Sequence, residues 1–367
     1  MQRRLILTVF LVLYALPQPI VVAQSAPATQ PAPTVEALRQ VKPSMPVPDD
    51  FWSFWEAKLR AVRESHDPAT VTEVDSPDPS VVTFDVQVPV PGTKGLSGYL
   101  AMPKHAKERS LPAVLFPHSA GVRGSQLEQA VKGARLGCIA IDFNAHGLPN
   151  GKSASFYQAL EKGELAHYAS IGASSRDTSY FLGMYLRLIR ALDYITNRPE
   201  WDGKHLIVYG SSQGGGQALV AAGLDDRISL CLANVPAMCD QTAAVARRTA
   251  GWPRMVEWSK MPPDVARYFD AMNFATRIKC PVTMTVGFID QTCSPTSVYA
   301  AYNNITSKKE IINRPTMGHA FPKELIAEFD RRVKEHVTDK SAATQPRADA
   351  ATSDRCPECG GVLATKP

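Results

Sequence analysis

Five short apolar runs constrain this 367-residue chain more than any other feature. They lie at 113–116, 138–141, 206–209, 229–233 and 282–286, and all but Val282-Thr-Met-Thr-Val286 run without alternating apolar and polar residues. A strand with one wet face must alternate, so such runs suit strands buried on both faces, as in a parallel sheet. Helical stretches separate them, notably at 176–196 and 217–222. Strand and helix in turn argue for a doubly wound, mostly parallel α/β sheet. The chain leads into it differently. Residues 81–88 alternate, and 97–102 read as their hairpin partner, so the sheet is expected to open with antiparallel strands. Upstream, Asp49 or Asp50 is placed to cap a helix. Phe51, Phe54, Trp55, Leu59 and Val62 fall close to i, i+3, i+4 spacing and predict its buried face.

The ends read as something other than fold. Met1-Gln-Arg-Arg4, an apolar stretch at 5–16 and Val21-Val-Ala23 form the three regions of a secretory signal peptide. The apolar stretch is shorter than the ~20 residues of a membrane-spanning helix. The expected layout is a signal peptide at 1–23, a solvated linker at 24–46, one α/β domain at 47–337 and a disordered tail at 338–367. The expected location is secreted or periplasmic. The tail carries Cys356-Pro-Glu-Cys359, which is half of a four-thiolate zinc site, so no metal site is assigned. Cys138, Cys231 and Cys280 lie in or beside apolar runs and read as small buried hydrophobes; of the possible disulfides, Cys231 to Cys239 is the nearest pair. The net charge of +5 is spread along the chain, which argues against a nucleic-acid partner.

The chemistry concentrates at His205-Leu-Ile-Val-Tyr-Gly210-Ser-Ser212-Gln-Gly214-Gly-Gly216. An apolar strand runs into Gly-x-Ser-x-Gly and a helix follows, the context of a nucleophile elbow. The turn lifts Ser212 Oγ to the carboxyl edge of the sheet, with the backbone N–H of Gln213 facing the place where an oxyanion develops. A serine hydroxyl needs a base, and the base needs an orienting acid. In this architecture they follow in the order acid, then histidine. Asp290 comes just past the run at 282–286, and His319 lies in Pro315-Thr-Met-Gly-His319-Ala, before the last helix. Asp240 and Asp270 lie outside post-strand turns and are weaker candidates. The second oxyanion donor is expected in the loop after the run at 113–116, from the backbone N–H of Ser119 or of His118, with the His118 side chain lining the substrate pocket. For Tyr180, Phe181 and Tyr185, core packing is expected ahead of pocket lining.

These residues resemble carbohydrate esterase family seven, the acetyl xylan esterases and cephalosporin C deacetylases. The resemblance runs from about Pro48 to His336. It rests on Asp50-Phe-Trp-Ser-Phe-Trp-Glu, the Gly210–Gly216 elbow, Ala271-Met-Asn-Phe-Ala275, and Asp290 with the following Cys293-Ser-Pro-Thr-Ser-Val-Tyr-Ala-Ala-Tyr-Asn-Asn304. It implies an α/β-hydrolase fold, Ser212 as nucleophile, Asp290 as acid, His319 as base, a homohexamer and no metal or other cofactor. Three positions depart from the family pattern. Asn144-Ala-His146-Gly147 replaces Arg-Gly-Gln-Gly, Ser119 stands where the family has Tyr, and Ala320-Phe321 follows the histidine where the family usually has Glu. The expected activity is a serine esterase acting on a small-molecule or oligosaccharide ester, with no membrane contact once the signal is removed. A catalytically inactive binding protein, a peptidase and a dienelactone-type hydrolase stay open as alternatives.

Overall fold

Successive residues of the central strands point into opposite cores, which is why most of those runs do not alternate. On β4 (Leu111–Pro117), Ala113 and Leu115 join the larger core while Val114 and Phe116 join a second one with Phe329 and Val333 of the last helix. Leu206 and Val208 against Ile207 and Tyr209 repeat the division on β6 (Trp201–Ser211). A period of two with helices on both sides favours apolar residues on both faces, and the polar ones at 283 and 285, both Thr, are buried as well. The structure, a computed structural model, describes residues 33–338. The expected signal peptide at 1–23 and the Cys356–Cys359 pair lie outside the described residues.

Within that range one sheet runs in the order β1-β2-β3-β5-β4-β6-β7-β8-β9. Its antiparallel start is β1 (Thr70–Val74), β2 (Val81–Val88) and β3 (Leu96–Pro103), with β3 antiparallel to β5 (Ile139–Phe143). The rest is parallel: β4, β5, β6, β7 (Leu230–Asn234), β8 (Val282–Gly287) and β9 (Lys309–Arg314). From β4 the chain steps to β5 on one side and returns to β6 on the other. Strand order therefore reverses between β4 and β6. Loops leaving the carboxyl ends of two such strands diverge and open a crevice, where doubly wound sheets bind ligands. The fold is α/β, of the doubly wound α/β-hydrolase kind, as expected.

The helix Phe51–Arg63 buries the five residues named from its spacing. Asp50 precedes it without a side-chain capping bond; its carboxylate accepts from Arg176 at 2.6 Å and from the Tyr268 hydroxyl instead. The expected linker at 24–46 differs over its second half. Val35–Arg39 is a helix, Leu38 is buried, and Asn303 Nδ2 donates to the carbonyls of Leu38 and Val41 at 3.1 and 2.8 Å. A polar composition hid one apolar anchor and a run of backbone acceptors. Strand β1 was not expected either; it is an edge strand with little burial. Cys138, Cys231, Cys239, Cys280 and Cys293 are all free and buried, so Cys231 and Cys239 are unbridged.

Candidate active site

Three side chains from separate loops meet above the carboxyl ends of β6 and β8. Ser212 follows β6 at φ 55°, ψ −120°, a strained left-handed conformation for a residue with a Cβ. It is held from both sides: its N–H donates to Asn234 O at 3.0 Å, and its carbonyl accepts from Gly216 N at 3.0 Å and Ala237 N at 2.9 Å. The close turn needs glycine at its flanks. A Cβ at Gly210 would lie 2.1 Å from Gly214 O, and one at Gly214 would lie 2.2 Å from Pro117 O. His319 Nε2 sits 2.8 Å from Ser212 Oγ, and its Nδ1 sits 2.8 Å from Asp290 Oδ2. A carboxylate only accepts, so Nδ1 carries the proton and Nε2 is the free acceptor facing the hydroxyl. Asp290 is buried, and its other oxygen accepts from the N–H groups of Thr292 and Cys293 at 2.8 and 2.9 Å. These two bonds aim the second oxygen at the imidazole.

The helix Gln213–Leu224 begins immediately after Ser212, so the Gln213 N–H is one of the first-turn donors without an intrahelical acceptor. Across the crevice, Ser119 Oγ donates to Ser211 O at 2.8 Å, which ties the loop after β4 to the elbow. Arg123 reaches back to the Ser119 and Ala120 carbonyls at 3.4 and 3.0 Å. Among the described residues the Ser119 N–H has no hydrogen-bond acceptor. The loop bearing Ser119 is thus tied to the residue before Ser212, and Gln213 directly follows Ser212.

His118 behaves differently from the expected pocket wall. It is only 2% exposed, and its ring approaches Asp142 Oδ1 at 3.4 Å without making a hydrogen bond. Burial pushes its pKa down and keeps the ring neutral. The polar group His118 offers its neighbours is its carbonyl, which accepts from Gln217 Nε2 at 3.0 Å.

Residues 144–146 of the departure at 144–147 are buried and pack against the loop after β4. His146 Nε2 lies 3.1 Å from Gly121 O, so it donates there, and Nδ1 accepts from the Tyr180 hydroxyl at 2.6 Å. Burial lowers the His146 pKa to about 3, so the ring is neutral. Tyr168 packs edge-on to His146 and donates to Gln213 Oε1 at 2.7 Å. Buried Arg187 donates through Nε and Nη2 to Ala145 O at 3.1 and 2.7 Å. Phe181 and Tyr185 pack in the core, while the half-buried Tyr180 is held by His146.

Sequence reasoning did not single out Asn234. Its Nδ2 donates to Ser211 Oγ at 2.7 Å and to Ala320 O at 3.1 Å, joining the elbow to the histidine loop. Its place at the end of the strand beside the elbow strand was the available signal. Asp270 is used elsewhere: its carboxylate accepts from the N–H groups of Asp240, Gln241 and Met272. One grouping among the described residues has metal-like spacing, Asp290, Cys293 and His319, with ligand atoms within 4.8 Å of one another. Its donors suit a metal poorly, because the carboxylate already holds His319 and two N–H groups and burial pushes the Cys293 thiol up.

Comparisons with known proteins place the chain in a family. The acetyl xylan esterase (AXE1) family matches residues 31–334. The acetyl esterase Axe7A of Xylanibacter ruminicola is 34% identical over 291 residues, 76% of this chain; the chain spans 65% of that relative's length. The acetyl xylan esterase from Paenibacillus sp. R4 superimposes with a TM-score of 0.69 at 28% identity, covering 82% of this chain and 99% of that one. Acetyl xylan esterase 1 from Thermoanaerobacterium sp. JW/SL YS485 has the same fold, with a TM-score of 0.66 at 24% identity over 83% of this chain and 98% of the other. With the family matched across nearly all of the folded body, this chain belongs to the acetyl xylan esterase family.

Proposed function

We propose that this chain is an exported serine esterase that removes acetyl and other small acyl groups from the hydroxyls of carbohydrates. The observation that carries the reading is His319, poised 2.8 Å from both Ser212 Oγ and the Asp290 carboxylate. Ser212 Oγ attacks the ester carbonyl carbon while its proton passes to His319 Nε2. The carbonyl oxygen becomes an oxyanion facing the N–H groups of Gln213 and Ser119, at the positive end of the helix dipole. Asp290 stabilises the imidazolium and holds its tautomer. The C–O bond to the sugar then breaks, and the leaving oxygen takes the proton from Nε2. Water repeats the cycle on the acyl-enzyme and releases acetate and free Ser212.

The carbohydrate part of the reading rests on the family and on the names of its relatives. Its test is acetate release from acetylated xylo-oligosaccharides beside p-nitrophenyl acetate turnover, with Ser212→Ala and His319→Ala as controls. Both substrates should be consumed by the wild type, and both variants should lose at least about 10³-fold. Hydrolysis that survives Ser212→Ala overturns the nucleophile assignment. A preference for long-chain over acetyl esters contradicts the small-acyl reading. Export follows from residues 1–23: a chain found outside the cytoplasm and beginning at Gln24 is expected, and an uncleaved cytoplasmic chain argues against it.

A further inference from the structure

Large apolar side chains left in water are few among the described residues: Phe156, Ile171, Val245, Trp258 and Ile289. Three of the five lie close in the chain to, or are tethered to, residues already described. Ile289 directly precedes Asp290, and Ile171 lies three residues past Tyr168. Trp258 is linked through Arg254. The Arg254 guanidinium sits over the Trp258 ring, 4.5 Å from its centroid, and Arg254 Nη2 donates to Gln291 O at 3.0 Å, one residue after Asp290. The Trp258 N–H donates to Arg254 O at 2.8 Å, closing the turn that sets indole on guanidinium.

This is an unusual use of tryptophan. The residue is 58% exposed although a cation lies over its ring. The Trp258 indole N–H has no hydrogen-bond partner among the described residues. Burying the ring would remove far more apolar surface from water than burying any other single exposed side chain here. It stays out, yet it is held by a cation–π contact and a two-step tether to the loop that carries the acid. A flat apolar face with one free donor at its rim matches a pyranose ring, which offers a face of C–H groups bordered by hydroxyls. An acyl chain would not need the donor, and a protein partner would need a larger contiguous apolar patch.

We propose that Trp258, backed by Arg254, is a stacking subsite for a sugar ring of the substrate next to the ring that bears the ester. The proposal rests on the carbohydrate esterase reading above and names how a polymeric alcohol portion is recognised. Acetylated residues within a chain should bind through it, whereas p-nitrophenyl acetate has no ring to place there.

The test uses the full-length protein with the variants Trp258→Ala and Trp258→Phe. The first quantity is the ratio of kcat/KM on acetylated xylohexaose to kcat/KM on p-nitrophenyl acetate. This ratio should fall about tenfold in Trp258→Ala, carried by KM, and recover most of the way in Trp258→Phe. An equal fall on both substrates means a merely structural role and overturns the proposal, as does an unchanged ratio. The second quantity is competitive inhibition of p-nitrophenyl acetate hydrolysis by xylohexaose without acetyl groups. The inhibition constant should rise about tenfold in Trp258→Ala. A wild type that xylohexaose does not inhibit refutes the subsite. Inhibition without any release of acetate from acetylated xylohexaose instead refutes the proposed substrate and leaves the subsite standing.

Discussion

Replacing Asp290 by Asn isolates what the acid contributes, because the structure dictates how the amide must sit. Asp290 Oδ1 accepts from two backbone N–H groups, of Thr292 and Cys293 at 2.8 and 2.9 Å. Only the amide oxygen can accept there, so the Asn NH₂ is forced to face His319 Nδ1. A donor in that place makes Nδ1 the acceptor and moves the ring proton to Nε2, 2.8 Å from Ser212 Oγ. The base then points a proton at the hydroxyl it should deprotonate. A wrong-tautomer histidine in a serine triad loses about 10⁴ in kcat, which corresponds to about 5.4 kcal/mol of transition-state stabilisation. Both loop bonds survive, so folding should change little. The assay is p-nitrophenyl acetate kinetics with thermal melts of the same preparations. A kcat within tenfold of wild type, with the melt unchanged, refutes the tautomer argument.

Other outcomes follow from neighbouring contacts. Tyr168→Phe leaves Gln213 Oε1 buried without its 2.7 Å donor; the cost of about 1–3 kcal/mol should lower the melting temperature by about 2–6 °C, and an unchanged melt contradicts it. Gly214→Ala drives a Cβ to 2.2 Å from Pro117 O, so it should shift the loop carrying Ser119 and depress kcat more than KM; wild-type kinetics would show that the turn has room. Buried His146, with its pKa lowered to about 3, takes up a proton more readily in the unfolded chain than in the folded one. Its contribution is therefore present above the unfolded value of about 6.5 and is lost as pH falls towards 3. Denaturant titrations at several pH values should show a shallower acid loss in His146→Gln than in the wild type, and parallel curves would refute that role.

The legible parts of the molecule were those set by neighbours in sequence. Apolar runs announced strands buried on both faces, and the Gly–Ser–Gln–Gly turn announced itself because a Cβ at Gly210 would strike Gly214 O, four residues on. Ser212, Asp290 and His319 are the exception, since they lie 29 to 107 residues apart and were named from their order in the chain. What stayed hidden depends on partners far apart in the chain. Tyr168 meets Gln213 across 45 residues and Arg187 meets Ala145 across 42, so no local pattern reports either. His118 shows the limit from the other side: its position in the loop was read correctly, but the direction of its side chain is decided by packing against Asp142. Likewise Leu38 is one apolar residue in a polar stretch, and only its contact with the body reveals that the fold begins before residue 47.

The central claim is that one hydroxyl on the sheet edge becomes a nucleophile. Treatment with an alkyl fluorophosphonate followed by peptide mass mapping tests it most directly. One phosphonyl adduct per chain is expected, on the peptide holding Ser212, blocked by Ser212→Ala and slowed strongly by His319→Ala. An active enzyme whose label falls on another residue, or that takes up label equally well without Ser212, would contradict the account.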